Sequence, residues 1–461
     1  MNQQNTHWAQ DAVFYHIYPL GFCGAPERND FSSPARNRLA KVSRWIPHMR
    51  SLGVNALYLG PLFESSAHGY DTADYYEVDH RLGSNTDLQR LSGELHRGGI
   101  RLILDGVFNH VGRDFWAFRD VQQNSAASAY CGWFDGLRFD DSSPYDDAFT
   151  YAPWEGHYDL VGLNLTNPEV RAHLFEAMRA WVREFDIDGL RLDVAYLLDM
   201  DFLQELSTFC RALKPDFFLL GEVVHGDYSR WANPHTLDSV TNYEAYKGLY
   251  SSLVDRNYFE IAYSLNREFG PGGLYHGLPL YNFADNHDVD RVTAKLPNPA
   301  LLYPLYLLLF TMPGLPSIYY GSEFGVDGRR TAQDDRALRP ALDLDKLQRS
   351  APQPGLPAFI AQLAALRAGL PALRNGGYSQ LHVASEQLAF ARFTADEYVV
   401  VLLNAAAEPA RLELDLPVRA SQAVDLLNNG EEFKLDNGRL VVEKVAPRWG
   451  RMLKLDLISG R

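Results

Sequence analysis

Eight short apolar runs recur between Val13 and Tyr320, and longer amphipathic stretches separate most of them. The runs are Val13 to Tyr18, Ala56 to Leu59, Arg101 to Asp105, Gly189 to Asp193, Phe217 to Glu222, Leu237 to Val240, Leu280 to Phe283 and Ser317 to Tyr320. Val, Ile, Leu, Phe and Tyr dominate them, as in strands buried on both faces of a parallel sheet. Between the runs lie helical patterns. From Pro168 to Phe185 the residues Val170, Leu174, Met178, Trp181 and Val182 fall near one face. Eight buried strands alternating with helices predict an α/β fold, a (β/α)8 TIM barrel.

Two segments break the rhythm. From Val111 to Gly162 the chain is rich in Asp, Ser, Gly and aromatics and shows little helical periodicity. This predicts a subdomain inserted after strand three, on the face where barrel loops build active sites. After Gly376 the pattern changes to alternating runs, such as Leu388 to Phe393 and Tyr398 to Leu403, with turn signals at Asn428-Asn-Gly430 and Asp436-Asn-Gly438. That predicts a small C-terminal antiparallel β-sandwich. The expected organisation is a barrel over 1–110 and 163–372, an inserted subdomain over 111–162, and the sandwich over 373–461. The greasiest stretch, Leu301 to Leu315, is short and carries Pro304 and Pro313, so it reads as a buried barrel helix and not a membrane span.

Composition narrows the partners. The 43 Lys and Arg against 58 Asp and Glu give a net charge of -15. Such a surface repels phosphate backbones and anionic lipid, so neither nucleic acid nor a membrane surface is an expected partner. A neutral substrate is compatible. Cys23, Cys131 and Cys210 are odd in number and form no CxxC, which argues against a disulfide framework or a zinc ribbon. The start, MNQQNTHWAQ, has neither a basic nor an apolar leader segment, and a cytoplasmic location is expected.

The strand ends carry the chemistry. Strand three ends at Asp105, with Asn109 and His110 beyond it. Strand four ends with Arg191 and Asp193, strand five with Glu222, and strand seven is followed by Asn286-His287-Asp288. Parallel barrel strands share one C-terminal rim, so these groups can converge. A lone acid at a strand end is more often a cap or a loop hydrogen-bonder. Three acids on three strand ends, with two histidines and an arginine, reverse that preference, because clustered carboxylates raise one another's pKa and are tolerated best at a working site. Glycosidic cleavage uses such carboxylates without a metal. A Schiff-base aldolase would need a strand-end lysine, and a metal-dependent hydrolase would need short His-x-His spacing. Neither is present. Glu323, between Gly321 and Gly325, opposes a phosphate site.

At this point the sequence resembles the α-amylase family of glycoside hydrolases over nearly its whole length. The resemblance rests on Asp105-Gly-Val-Phe-Asn-His110, Gly189-Leu-Arg-Leu-Asp193, Gly221-Glu222 and Asn286-His-Asp288, supported by Gly69 to Tyr76 and Gly314 to Glu323. It implies Asp193 as nucleophile, Glu222 as general acid/base and Asp288 as a third carboxylate that holds sugar hydroxyls. It implies further that His110 and His287 grip the sugar at the cleavage point and that Tyr70 is an aromatic platform beneath it. Arg191, two residues before Asp193 on the same strand face, is expected to keep that carboxylate ionised and oriented. Retention through a covalent glycosyl-enzyme is the implied outcome.

Within the family, Glu222-Val-Val-His225 and Val161-Gly-Leu-Asn-Leu165 look closest to the cyclomaltodextrinase, neopullulanase and maltogenic amylase group. The N-terminal β-domain usual in that group is expected to be missing, since strand one begins by about residue 12. The expected activity is hydrolysis of α-1,4 bonds, and of α-1,6 bonds as well, in cyclomaltodextrins and maltooligosaccharides, with transglycosylation alongside. An endo-acting α-amylase, an exo-acting α-glucosidase or glucosyltransferase, and a non-catalytic amylase-like binding subunit are the alternatives. Trp116, Trp133, Trp154 and Trp231 are candidates for stacking on further glucose units or for subdomain core. Asn109 matches a calcium-binding position of many relatives, so a structural calcium is implied, while the chemistry itself needs no cofactor. The acidic stretch Asp135, Asp140, Asp141, Asp146 and Asp147 reads as a solvated loop, with a calcium ligand among them as the alternative. The oligomeric state stays open.

Overall fold

The computed structural model describes residues 8–332 and 334–458. Eight parallel strands form one sheet: β1 (Phe14–Ile17), β2 (Ala56–Leu59), β3 (Arg101–Gly106), β4 (Gly189–Leu192), β5 (Phe218–Gly221), β6 (Ser239–Val240), β7 (Tyr281–Phe283) and β8 (Leu315–Tyr319). Each pairs with its neighbour in sequence, and β8 pairs with β1. A parallel bridge between Thr241 and Tyr281, at the ends of β6 and β7, closes the ring. The eight apolar runs are thus the eight barrel strands.

Side-chain alternation divides each strand between two environments. Leu57, Leu59, Leu102, Leu104, Leu190, Leu192 and Leu219 belong to the large cluster that joins the sheet to the surrounding helices. Phe14, Ala56, Ile103, Phe218, Leu220 and Tyr281 form a separate interior cluster. Trp8, on a short 3-10 turn, closes the lower end of that interior, its ring 6.3 Å from Phe14 and 5.6 Å from Phe218. Higher up, the same inward phase continues with polar side chains, so burial at the base grades into chemistry at the rim.

The helices are set by their own local signals. The helix Pro168–Phe185 starts with Pro at its first turn and an Asn167 side chain accepting from the Glu169 amide, and it ends at Asp186 in the left-handed region. Ser84 and Asp87 make a reciprocal capping box on the helix Asn85–Arg97. The apolar segment near residue 300 is the buried helix Leu302–Thr311, and no helix among the described residues is long and apolar enough to cross a membrane.

Between β3 and β4 the chain forms a small subdomain. His110–Gly112 pairs antiparallel with His157–Gly162, which turns back from Pro153–Trp154. Phe118, Phe134, Phe149 and Tyr151 are its aromatic core. At the other end of the chain, strands β9 (Gly377–Val383), β10 (Gln387–Phe393), β11 (Tyr398–Asn404), β12 (Ala410–Asp415), β13 (Ala420–Asp425), β14 (Glu432–Asp436), β15 (Arg439–Val445) and β16 (Trp449–Leu457) form an antiparallel ladder in the order β9-β10-β11-β16-β13-β14-β15-β12. The ladder folds over a core in which Val400, Leu402 and Leu453 pack with Leu412, Leu440 and Val442. Two buried guanidinium groups lie at its junction with the barrel, Arg367 from the barrel's last helix and Arg392 from β10. Arg367 donates to the carbonyls of Phe310, Gly314 and Leu373, and Arg392 donates to those of Thr311, Leu373, Gly376 and Gly377.

Candidate active site

The inward phase of the strands assembles the rim. Ile103 faces the interior, so Asp105 two residues on does too, and it lies in register with Arg191 on β4. Arg191 and Asp193 share that phase, and Glu222 follows Leu220 on β5. Arg191 is buried and sits at the centre. It donates to Asp105 at 2.9 Å, to Asp193 Oδ1 at 2.9 Å and to Glu222 Oε2 at 2.9 Å. One guanidinium thus gathers three carboxylates from three adjacent strands, and it can do so because it is planar, always charged and rich in donors.

That sharing changes the expected electrostatics. Arg191 was expected to hold Asp193 ionised. Instead burial pushes the Asp193 carboxyl well up, and the charges of Glu222, Asp105 and Asp288 add to it against the single opposing charge of Arg191. One cation is thus shared among several buried carboxylates, which is why its pull on Asp193 alone is diluted. Asp288 goes the other way. Although burial opposes it, His287 and Arg339 hold its carboxyl far below the usual range. His287 Nε2 is 3.0 Å from Asp288 Oδ2, and Arg339 donates to Oδ1 at 3.1 Å and to the His287 carbonyl at 3.0 Å.

Of the remaining residues singled out in the sequence, His110 and Tyr70 line the same cavity, while His287 is buried behind Tyr70. His110 opens the subdomain sheet, and its Nε2 stands 3.9 Å from Asp193 Oδ2 with no hydrogen-bond partner. Burial pushes this imidazole down to about 3, so it is neutral at ordinary pH. Tyr70 sits in a loop shaped by Asp71, which accepts from the amides of His68 and Gly69. Gly69 there has φ +89°, a conformation that favours glycine. The Tyr70 hydroxyl meets His287 Nε2, and it lies 3.3 Å from Asp105. The rings of Tyr70 and Tyr18 lie nearly parallel to the His287 ring, at 5.6 Å and 5.7 Å. His68, Tyr70, His110, Asp193, Glu222 and Asp288 all line one cavity of about 870 Å³.

Several contributors were not singled out beforehand. Tyr243, just past β6, has its hydroxyl 3.5 Å from Glu222 Oε1 and accepts from Asn286 at 3.2 Å. The strand-end rule that found Glu222 would have found it too. Arg339 and Asp335 come from the loop after β8 and pair at 2.9 Å, and no periodicity marks them. His16 lies beneath the site with its ring 4.2 Å from Tyr58, and burial together with His287 holds it neutral. Of the four tryptophans, Trp154 reaches the cavity, its ring 5.7 Å from that of His110. Trp133 and Trp231 are buried, and Trp116 packs on Tyr130 and Trp133. Next to Trp154, Glu155 faces Tyr196, whose phenol is pushed up to about 12 by burial and by that charge.

Asn109, the expected calcium position, lies just past β3 with hydrogen-bonded neighbours on both sides. Its amide group contacts His110 Nδ1 at 3.2 Å, and its carbonyl accepts from the Leu163 amide. Among the described residues, the one place where three His, Cys, Asp or Glu ligand atoms meet is Glu64, Asp79 and His80. Those groups are already engaged: Asp79 with Arg81, and Glu64 with His80 and Asn29. Of the acidic loop, Asp147 pairs with Arg113 at 2.7 Å.

Comparison with known proteins agrees with this geometry. The family model described as "Alpha amylase, catalytic domain" matches residues 17–351, and "Neopullulanase-like, C-terminal domain" matches residues 378–449. A cyclomaltodextrinase of Geobacillus thermopakistaniensis is 32% identical, with 98% of this chain aligned to 78% of that protein. Neopullulanase 2 of Thermoactinomyces vulgaris is 34% identical, with 94% of this chain aligned to 76% of that protein. Among solved structures, cyclic α-maltosyl-(1→6)-maltose hydrolase from Arthrobacter globiformis superposes with a TM-score of 0.81 at 30% identity, covering 97% of this chain and 99% of that one. The chain belongs to the α-amylase family of glycoside hydrolases.

Proposed function

We propose that this protein hydrolyses α-1,4-glucosidic bonds in cyclomaltodextrins and maltooligosaccharides with retention of configuration, and that α-1,6 bonds and sugar acceptors also enter the site. The observation that carries this reading is the meeting of Asp193, Glu222 and Asp288 around one cavity, two of them on the same guanidinium. Asp193 attacks the anomeric carbon while the proton of Glu222 passes to the departing oxygen. A covalent glycosyl-enzyme forms with inversion. Water, deprotonated by Glu222, then displaces Asp193 with a second inversion, and the proton returns to Glu222. Asp288, ionised, accepts hydrogen bonds from ring hydroxyls, and neutral His110 can donate or accept there. The Tyr70 ring presents an apolar face to sugar C–H groups. A cytoplasmic site of action suits the three free thiols.

The substrate reading is supported by relatives whose names are cyclomaltodextrinase, neopullulanase and maltogenic α-amylase. A second reading has its own support. The solved structures matched nearly end to end include the cyclic maltosyl-maltose hydrolase and a debranching enzyme of Nostoc punctiforme, both named for substrates with branch-type links or rings that contain them. A product profile on β-cyclodextrin, maltotriose, soluble starch, pullulan and cyclic maltosyl-maltose separates the two. Fast ring opening of β-cyclodextrin with slow attack on starch supports the first reading. Preference for the cyclic tetrasaccharide supports the second, and preference for starch overturns both.

A further inference from the structure

A second groove, of about 830 Å³, begins at the catalytic cavity and runs beside the helix Phe259–Phe269. Val224, His225 and Tyr243 line both spaces, so the two are continuous. Tyr243 is the residue beside Glu222, which places the groove on the proton donor's side of the site. Two large aromatic side chains on its wall are exposed: Phe259 at 50% and Tyr263 at 69%. They are four residues apart on one helix and therefore neighbours on one face, about 6 Å apart along the axis. That spacing is on the order of one pyranose unit. Lone exposed apolar side chains are common, but two rings adjacent on one helix face beside a groove form a contiguous patch of the kind that marks a binding surface.

The charges along the groove are already neutralised. Lys247 pairs with Glu260 at 3.1 Å, and Arg267 pairs with Glu244. A groove with exposed rings and internally paired charges suits a neutral, hydroxyl-rich chain better than an anion or a charged peptide. We propose that it is an extended subsite for the α-glucan chain on the leaving-group side of the cleavage point, with Phe259 and Tyr263 as successive stacking platforms. The proposal rests on the α-glucan reading above and adds to it a dependence on substrate length.

The test is a Phe259→Ala/Tyr263→Ala double variant assayed on maltotriose and on maltoheptaose. The expected result is a roughly tenfold fall in the ratio of kcat/KM on the longer to that on the shorter substrate, carried by KM. A Tyr263→Trp variant, which keeps a platform, should hold the ratio of the parent. A fall shared equally by both substrates reports damage to the fold and overturns the proposal, as does an unchanged ratio. A shift of the double variant from dimer to monomer in sedimentation, with the ratio unchanged, would make this face a contact between copies and also overturns it. A parent protein inactive on every α-glucan defeats the functional reading itself. An active parent whose variant keeps the parental length ratio defeats the groove alone.

Discussion

The amide of Val194 donates to Glu222 Oε2 at 3.0 Å, so the residue after the proposed nucleophile holds the proposed proton donor. Val194 does this from the left-handed region, with φ 40° and ψ 44°. A β-branched residue there stores on the order of 1–3 kcal/mol of strain. Arg191 takes the same oxygen at 2.9 Å. Oε2 is therefore held twice, while Oε1 has only the longer contact with the Tyr243 hydroxyl at 3.5 Å.

Replacing Glu222 by Gln should keep this frame, because the amide oxygen can still accept from Val194 and Arg191. It removes the proton. We expect kcat on unactivated glucans to drop by roughly 10²–10⁴-fold, with the melting temperature nearly unchanged. Steady-state kinetics beside a thermal melt check both halves. A variant that keeps most of its rate rules Glu222 out as the acid.

Arg339 grips Asp288 and the His287 backbone at once. Arg339→Met removes two charge-assisted hydrogen bonds, worth about 1.5–3 kcal/mol in the transition state. kcat/KM should fall roughly ten- to hundredfold. If Asp288 owes its low pKa to this neighbour, the acid limb of the pH–rate profile should also move to higher pH in the variant. An unmoved limb would mean that His287 alone suffices.

Glu268 offers a stability test remote from the site. Its buried carboxyl is pushed up to about 8 by burial, against an ordinary 4.5 and despite a hydrogen bond from Asn242. The folded state thus binds more protons than the unfolded chain between those two values, and stability falls as pH rises through that window. Glu268→Gln keeps the contact with Asn242 and removes the titration. Its advantage over the parent should be absent near pH 4.5 and reach on the order of 3 kcal/mol at pH 7. Urea midpoints at the two pH values decide it, and an equal difference at both contradicts the assignment.

Arg392→Met should destabilise by about 3 kcal/mol or more, since it strands buried carbonyls that no other donor serves in the same way. Differential scanning calorimetry reads this directly. A loss below 1 kcal/mol would show that water replaces the guanidinium.

Much of the barrel was legible because strands buried on both faces read as unbroken apolar runs, and their alternation carries inward-facing residues such as Ile103 and Leu220 on to Asp105 and Glu222. What was not legible lies in how loops return. Arg339 reaches Asp288 from a loop whose path is set by Arg291, buried against Tyr319 and Tyr320 and donating to the carbonyls of Tyr320 and Leu338. No local pattern encodes such a tertiary route. How the charge of Arg191 is shared was hidden for a related reason. The sequence places Arg191 beside it, but only the assembled rim shows that Asp105 and Glu222 draw on the same cation.

The seam formed by Arg367 and Arg392 has a bearing on engineering. Each reaches carbonyls at the end of the helix Leu302–Thr311 or in the turn that follows it, and both meet at Leu373. The last eight strands are consequently not an interchangeable appendage. A chimera that grafts them onto a foreign barrel must transplant the matching socket as well, or it will bury the Arg392 cation with nothing to receive it.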